Sequence, residues 1–106
     1  MNFRSKEERM LYNTLRDKLE YTIVSSTEKL ERLYNVLLGV KGIKDVIYDS
    51  MDEYVEIDIH SNTYIIQLDE LDQLVYWKEG CGVNGTYKGI SVKEFVMQLY
   101  RWIRLE

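Results

Sequence analysis

Apolar residues along this chain follow two different periods, and the switch between them divides it into three regions. Leu11, Leu15, Leu19 and Ile23 recur every four residues, and Leu30, Leu33, Tyr34, Leu37 and Leu38 follow at i, i+3, i+4, i+7 and i+8. Both spacings line one face of a helix. Ser5 with Glu8, and Ser25 with Glu28, have the S-x-x-E spacing of a capping box, in which the hydroxyl and the glutamate each satisfy a free backbone N–H of the first turn. The cluster Ser25-Ser26-Thr27 competes for backbone hydrogen bonds inside a helix. The pattern therefore predicts a helical pair broken there, ending at Gly39 and Gly42.

From Asp45 the period becomes two. A strand over 53–60 sends Val55, Ile57 and Ile59 to one side and Tyr54, Glu56, Asp58 and His60 to the other. A turn at Ser61-Asn62 sets Ile59 opposite Tyr64, Ile57 opposite Ile66 and Val55 opposite Leu68; on the other face Asp58 meets Ile65, Glu56 meets Gln67 and Tyr54 meets Asp69. A turn at Met51-Asp52 adds a preceding strand with Val46 and Tyr48 on the core side and Asp45, Ile47 and Asp49 outside. Residues 74–79 read as a fourth strand, Asn84-Gly85 as a hairpin turn whose central residues need positive φ, and 86–90 as a short fifth strand. The period then returns to 3.6: Ser91 and Glu94 form a third capping box before Val92, Phe95, Val96, Leu99, Tyr100, Trp102 and Ile103, with Arg101 and Arg104 near the negative end of the helix dipole. Segregated helices and hairpins without β-α alternation predict an α+β fold. It comprises an N-terminal helical pair, an antiparallel β-meander of three to five strands, and a C-terminal amphipathic helix packed on one sheet face. Val55, Ile57, Ile59, Ile66, Leu68, Phe95, Leu99 and Trp102 form the expected core.

At 106 residues, with no proline, repeat or low-complexity stretch, the expectation is a single domain over residues 1–106. A hydrophobic content of 45% with nine Tyr, two Trp and two Phe argues against disorder. The lone Cys81 offers no internal disulfide, the N-terminal residues form no apolar leader, and no run is long enough to span a bilayer, so the expected location is cytoplasmic.

Charge changes the picture. Between Asp45 and Asp72 stand nine carboxylates and no Lys or Arg, whereas the segments before and after are net +3 and +2, within an overall −4. So dense a block creates a local negative potential that attracts a basic partner. Strand alternation gathers Asp45, Asp49, Tyr54, Glu56, Asp58 and Asp69 on the outer face as the candidate partner-binding residues, with the tyrosine supplying apolar area and a hydroxyl.

Other chemistry is thinner. Gly80 to Gly85 matches G-x-G-x-x-G, but a phosphate cradle needs a helix to begin inside the glycine run, and here the cap is Ser91. Cys81 and His60 are the sole thiol and imidazole, with nothing beyond their presence to make them a catalytic pair. The carboxylates match no EF-hand, and these strands carry no D/E-x-K of a metal nuclease. No catalytic residue, metal site or cofactor is assigned. Direct nucleic-acid binding is disfavoured at pI near 5.1, and the cations of the first helix are interleaved with Glu7, Glu8, Asp17 and Glu20. The sequence thus favours a non-enzymatic binding protein. The type is a small acidic inhibitor or nucleic-acid mimic that occupies a basic surface of a nuclease or other nucleic-acid-binding protein, as phage anti-defence, anti-CRISPR and immunity proteins do. Two alternatives stay open: an accessory subunit forming a homodimer through the leucine stripe Leu30, Leu33, Leu37 and Leu38, and a small metal-dependent enzyme using the clustered carboxylates.

Overall fold

Three helices and four strands follow the predicted order in the computed structural model, which describes residues 3–20, 23–80 and 88–106. The elements are α1 (Lys6–Leu19), α2 (Ser26–Leu37), β1 (Asp45–Asp49), β2 (Tyr54–Ile59), β3 (Asn62–Leu68), β4 (Leu74–Lys78) and α3 (Val92–Arg104). The strands form one antiparallel meander in the order β1-β2-β3-β4. Asn84-Gly85 and the first two residues of the expected fifth strand, 86 and 87, lie outside the described residues, and residues 88–89 form no strand. At the end of that strand, Ile90 makes a single antiparallel bridge to Leu74, its N–H donating to the Leu74 carbonyl at 2.8 Å.

All three predicted caps start helices. Ser5, Ser25 and Ser91 accept hydrogen bonds from the backbone N–H of Glu8, Glu28 and Glu94 at 3.2, 3.2 and 3.1 Å. Only α3 completes the reciprocal box, because the Glu94 side chain turns back to the Ser91 N–H. The Glu28 carboxylate instead meets Arg32 one turn on, at 3.4 Å, and Glu8 is drawn into an ion pair with Arg104.

One sheet face and the helices share the core. Val55, Ile57, Ile59 and Ile66 meet Leu30, Leu33 and Leu37 of α2 and Phe95, Val96 and Leu99 of α3, while α1 adds Leu11, Leu15 and Leu19. Leu68 and Trp102 are partly buried against this cluster. The Trp102 ring stacks on Tyr64 at 3.8 Å and meets Tyr76 edge-on at 4.9 Å, which fixes Tyr64 and Tyr76 on the helix side of the sheet.

Three expectations are corrected. Ile23 does not continue the α1 stripe: α1 stops at Leu19, α2 begins only after the Ser25 cap, and Ile23 is fully exposed. The leucine stripe of α2 faces the chain's own sheet, with Leu30, Leu33 and Leu37 buried and only Leu38 at the surface, so it is not available as a dimer seam. The β2–β3 register differs by two residues from the predicted one. Ile59 pairs with Asn62, Ile57 with Tyr64 and Val55 with Ile66, because the turn is His60-Ser61. His60 takes a left-handed φ of 57° there, and its ring Nε2–H donates to the Ile103 carbonyl at 2.8 Å, so the end of α3 holds the turn in place. A two-residue shift returns every side chain to the same face. The core assignment is therefore unchanged while the partners across the outer face are new.

The two ends of the chain are joined by charge. Glu8 is only 2% exposed, its carboxylate accepts from the Arg104 guanidinium, and Arg104 also reaches the Ser5 hydroxyl at 3.4 Å. Arg4 pairs with Glu106 beside it, at the surface.

Candidate binding face

The face opposite the helices is built by strand alternation and can be read as three rows running across the sheet. One row holds Asp45, Asp58 and Thr63, with Glu79 bonded to the Thr63 carbonyl at 2.8 Å just past the end of β4. The middle row is Ile47, Glu56, Ile65 and Trp77. The third holds Asp49 opposite Tyr54, and Gln67 opposite Val75. No Lys or Arg occupies any of these positions. The cations of the flanking segments stand elsewhere: Lys78 alternates to the helix side with Tyr64 and Tyr76.

The acidic block between Asp45 and Asp72 separates into carboxylates with structural work and carboxylates without it. Asp49 Oδ1 accepts the backbone N–H groups of Met51 and Asp52 at 3.0 and 2.9 Å and so shapes the β1–β2 turn. Asp69 does the same for the β3–β4 turn, accepting from Leu71 and Gln73 at 2.8 and 2.9 Å. Such Asx turns are the ordinary reason for an aspartate at a strand end. Glu53 accepts from the Thr27 hydroxyl at 2.9 Å and Asp72 from Ser26. Both place negative charge at the start of α2, where the helix dipole favours it.

Asp45, Glu56 and Asp58 remain on the strands, joined by Glu79, which lies outside the block in sequence, while Asp52 and Glu70 stand in the β1–β2 and β3–β4 turns. Asp45 and Asp58 are direct cross-strand partners. Asp58 accepts from the Thr63 hydroxyl at 2.7 Å and Asp45 from the Val46 N–H at 3.0 Å, both neutral donors. Burial raises the Glu56 carboxyl above its ordinary range, and the charges of Glu79, Asp58 and Asp45 push it further the same way. Among the described residues no cation pairs with Glu56. Tyr54 is likewise raised, first by burial, then by Asp49 and Glu56, by its hydrogen bond to Asp49, and by Asp52.

Of the sequence-derived candidates, the structure groups Asp45, Glu56 and Asp58 around one point. It sets Asp49 and Tyr54 as a hydrogen-bonded pair at the adjoining end of the face. Asp69 stands apart in the β3–β4 turn, because the actual register puts Gln67, not Asp69, in the row beyond Ile65. Glu79, Ile65 and Trp77 were not among the candidates. Alternation against Leu74 and Tyr76 was the signal that would have put Trp77 outside. The apolar members matter: Ile65 is only 8% exposed, and among the described residues no helix lies over this face.

Among the described residues, no three His, Cys, Asp or Glu side chains gather as a group that could hold a metal ion. No helix there is long and apolar enough to cross a membrane. The glycine motif begins with Gly80, at φ 79°, but residues 81–85 and with them Cys81 lie outside the described residues. An apolar groove of about 330 Å³ lies between the end of α1, the start of α2 and the β3–β4 turn, lined chiefly by Leu19, Leu30, Leu33, Leu68, Leu74 and Val92. It is remote from the acidic rows.

Comparison with protein-family models, with curated proteins and with solved structures gives no match.

Proposed function

We propose that this chain is a non-enzymatic binding protein whose acidic sheet face occupies a basic surface of another protein, that surface being the nucleic-acid groove of a nuclease or other nucleic-acid-binding protein. The observation that carries the reading is the set of carboxylates around Glu56. Four of them share one patch, repel one another, and have no compensating cation among the described residues. Cross-strand like charges cost stability, and a surface that serves only solubility intersperses lysines. A cost of that kind, retained where no turn or helix cap uses the charges, is what a binding surface entails.

A negatively charged, semi-rigid sheet presents to cationic side chains the same sign and density of charge that a phosphate backbone does. Inhibitors of phage anti-defence, anti-CRISPR and immunity type act by this kind of occupation. The location that such a role requires is the cytoplasm, where the host protein meets nucleic acid. The face offers Asp45, Glu56, Asp58 and Glu79 as charge partners for Arg or Lys, with Asp49 and Tyr54 at its end.

The test is the salt and competitor dependence of the complex with a partner recovered from the native host. The partner should carry a basic groove. Its affinity should fall at least about tenfold between low and several hundred millimolar salt, since exposed charge pairs are screened over that range. Nucleic acid should displace the chain. A partner without a basic surface, or one held equally at all salt concentrations, would contradict the proposal.

A further inference from the structure

The middle row of the acidic face, over which no described helix lies, carries more than charge. Ile47, Ile65 and Trp77 stand in register across β1, β3 and β4, with Glu56 between the two isoleucines and Val75 next to Trp77 on its strand. Ile47 is 45% exposed, and Trp77 is half-buried. The row spans three strand spacings, about 14 Å, which is close to the ~10–12 Å width of one α-helix. Glu56 and Trp77 flank Ile65 on adjacent strands, about 10 Å apart at the backbone. A planar group lying over Ile65 would meet the indole on one side and the carboxylate on the other.

Charge decides what can cover this strip. A second copy would bring Asp45, Asp49, Glu56, Asp58 and Glu79 of each chain against the same set on the other, and nucleic acid has the same sign as the face. The remaining occupant is a basic one with apolar area of its own. Resting on the binding role proposed above, we infer that the face receives a basic amphipathic helix of the partner protein, anchored by an arginine that stacks on Trp77 and pairs with Glu56. Arginine suits the position and lysine does not: its guanidinium is planar, stacks on aromatic faces and donates to a carboxylate through two parallel N–H groups, whereas an ammonium is a strongly hydrated point charge. In this geometry the apolar row supplies the grip, and the surrounding carboxylates steer approach. The raised Glu56 carboxyl fits the same picture, because a cation arriving there relieves its repulsion by Glu79, Asp58 and Asp45.

The test uses two fluorescently labelled peptides of about 20 residues, long enough to be helical in isolation, identical except that one carries arginines and the other lysines beside a leucine stripe. Anisotropy titrations against the full chain should show the arginine peptide binding at least about tenfold tighter than its lysine twin, a difference of about 1.4 kcal/mol. Trp77→Ala should erase that preference. Ile47→Glu, at an exposed position that the fold does not need, should weaken the arginine peptide at least about tenfold with unchanged circular dichroism. Equal binding of the twins, a preference surviving Trp77→Ala, or no binding of either peptide would each overturn the inference. Equal, salt-sensitive binding that is lost in Glu56→Lys with Asp58→Lys would do so while leaving the acidic-face reading in place.

Discussion

Arg104→Met should be among the most destabilising single changes outside the hydrophobic core. Glu8 sits on the third residue of α1 with a side chain only 3% exposed, and Arg104, itself 26% exposed, is its cation. Removing the guanidinium while keeping the hydrophobic stem leaves a carboxylate among packed side chains without water or counter-charge. Breaking a buried pair from one side costs about 3–5 kcal/mol; the partial exposure of Arg104, and the Ser5 hydroxyl nearby, place this case near 3 kcal/mol. A domain of this size has about 5–15 kcal/mol in total, so the change removes a large share. With a urea slope of about 1.5 kcal/mol/M, the midpoint should drop by about 2 M. Glu8→Gln should cost less, about 1–2 kcal/mol, because the amide still accepts a hydrogen bond and the arginine left behind reaches solvent. The double variant Glu8→Leu with Arg104→Met replaces the pair by apolar groups and should recover most of the loss, giving a coupling energy of about 2 kcal/mol in the cycle. Arg4→Met removes the neighbouring surface pair with Glu106, whose side chains are 63% and 37% exposed, and should cost well under 1 kcal/mol. If Arg104→Met moved the midpoint no more than Arg4→Met does, with no coupling in the cycle, the account of Glu8 as a buried, paired anion would be refuted.

Two further predictions concern the sheet. Ile57→Ala, at a fully buried position between β1 and β3, should cost about 2–5 kcal/mol in urea unfolding; a loss under about 0.5 kcal/mol would mean that Ile57 does not face the core. Glu56→Gln should stabilise the chain by a few tenths to about 1 kcal/mol at neutral pH. The raised folded-state carboxyl means that the native chain binds more protons than the unfolded one just above the ordinary glutamate range. Stability therefore falls as pH rises through that window, and the advantage of the glutamine should vanish below it; an advantage equal at both pH values would contradict the electrostatic cause.

The sheet and helices were legible because their signals are local and repeated. Val55, Ile57 and Ile59 alternate whatever lies beside them, and Ser91 with Glu94 marks the start of α3 through contacts three residues apart. The β2–β3 register was not legible, since it depends on His60 adopting positive φ and bonding to Ile103, a partner 43 residues away. The same limit hid the Glu8–Arg104 pair, 96 residues apart, so that Glu8 read as half of a capping box and Arg104 as a dipole-compensating cation. For the candidate face, alternation correctly set Asp45, Glu56 and Asp58 on one side. It gave no hint that Asp69 and Asp49 shape turns or that Glu53 and Asp72 dock on α2. Those uses became visible only with the backbone donors in place. Glu79 joins the patch through strand pairing alone, beyond the reach of a linear charge count.

The central claim is that the acidic sheet face holds a basic partner, and charge reversal confined to that face tests it most directly. The full chain, Glu56→Lys with Asp58→Lys, and Glu7→Lys with Glu31→Lys as a control of equal charge on the helices, should each be immobilised and their affinities for the partner recovered from the native host compared. The face reversal removes attractions and adds repulsions, so it should weaken binding by several kcal/mol, a hundredfold or more, with the fold intact by circular dichroism. The helix control should bind within about threefold of the unaltered chain. Unchanged affinity of the folded face reversal, or an equal loss in the helix control, would contradict the claim.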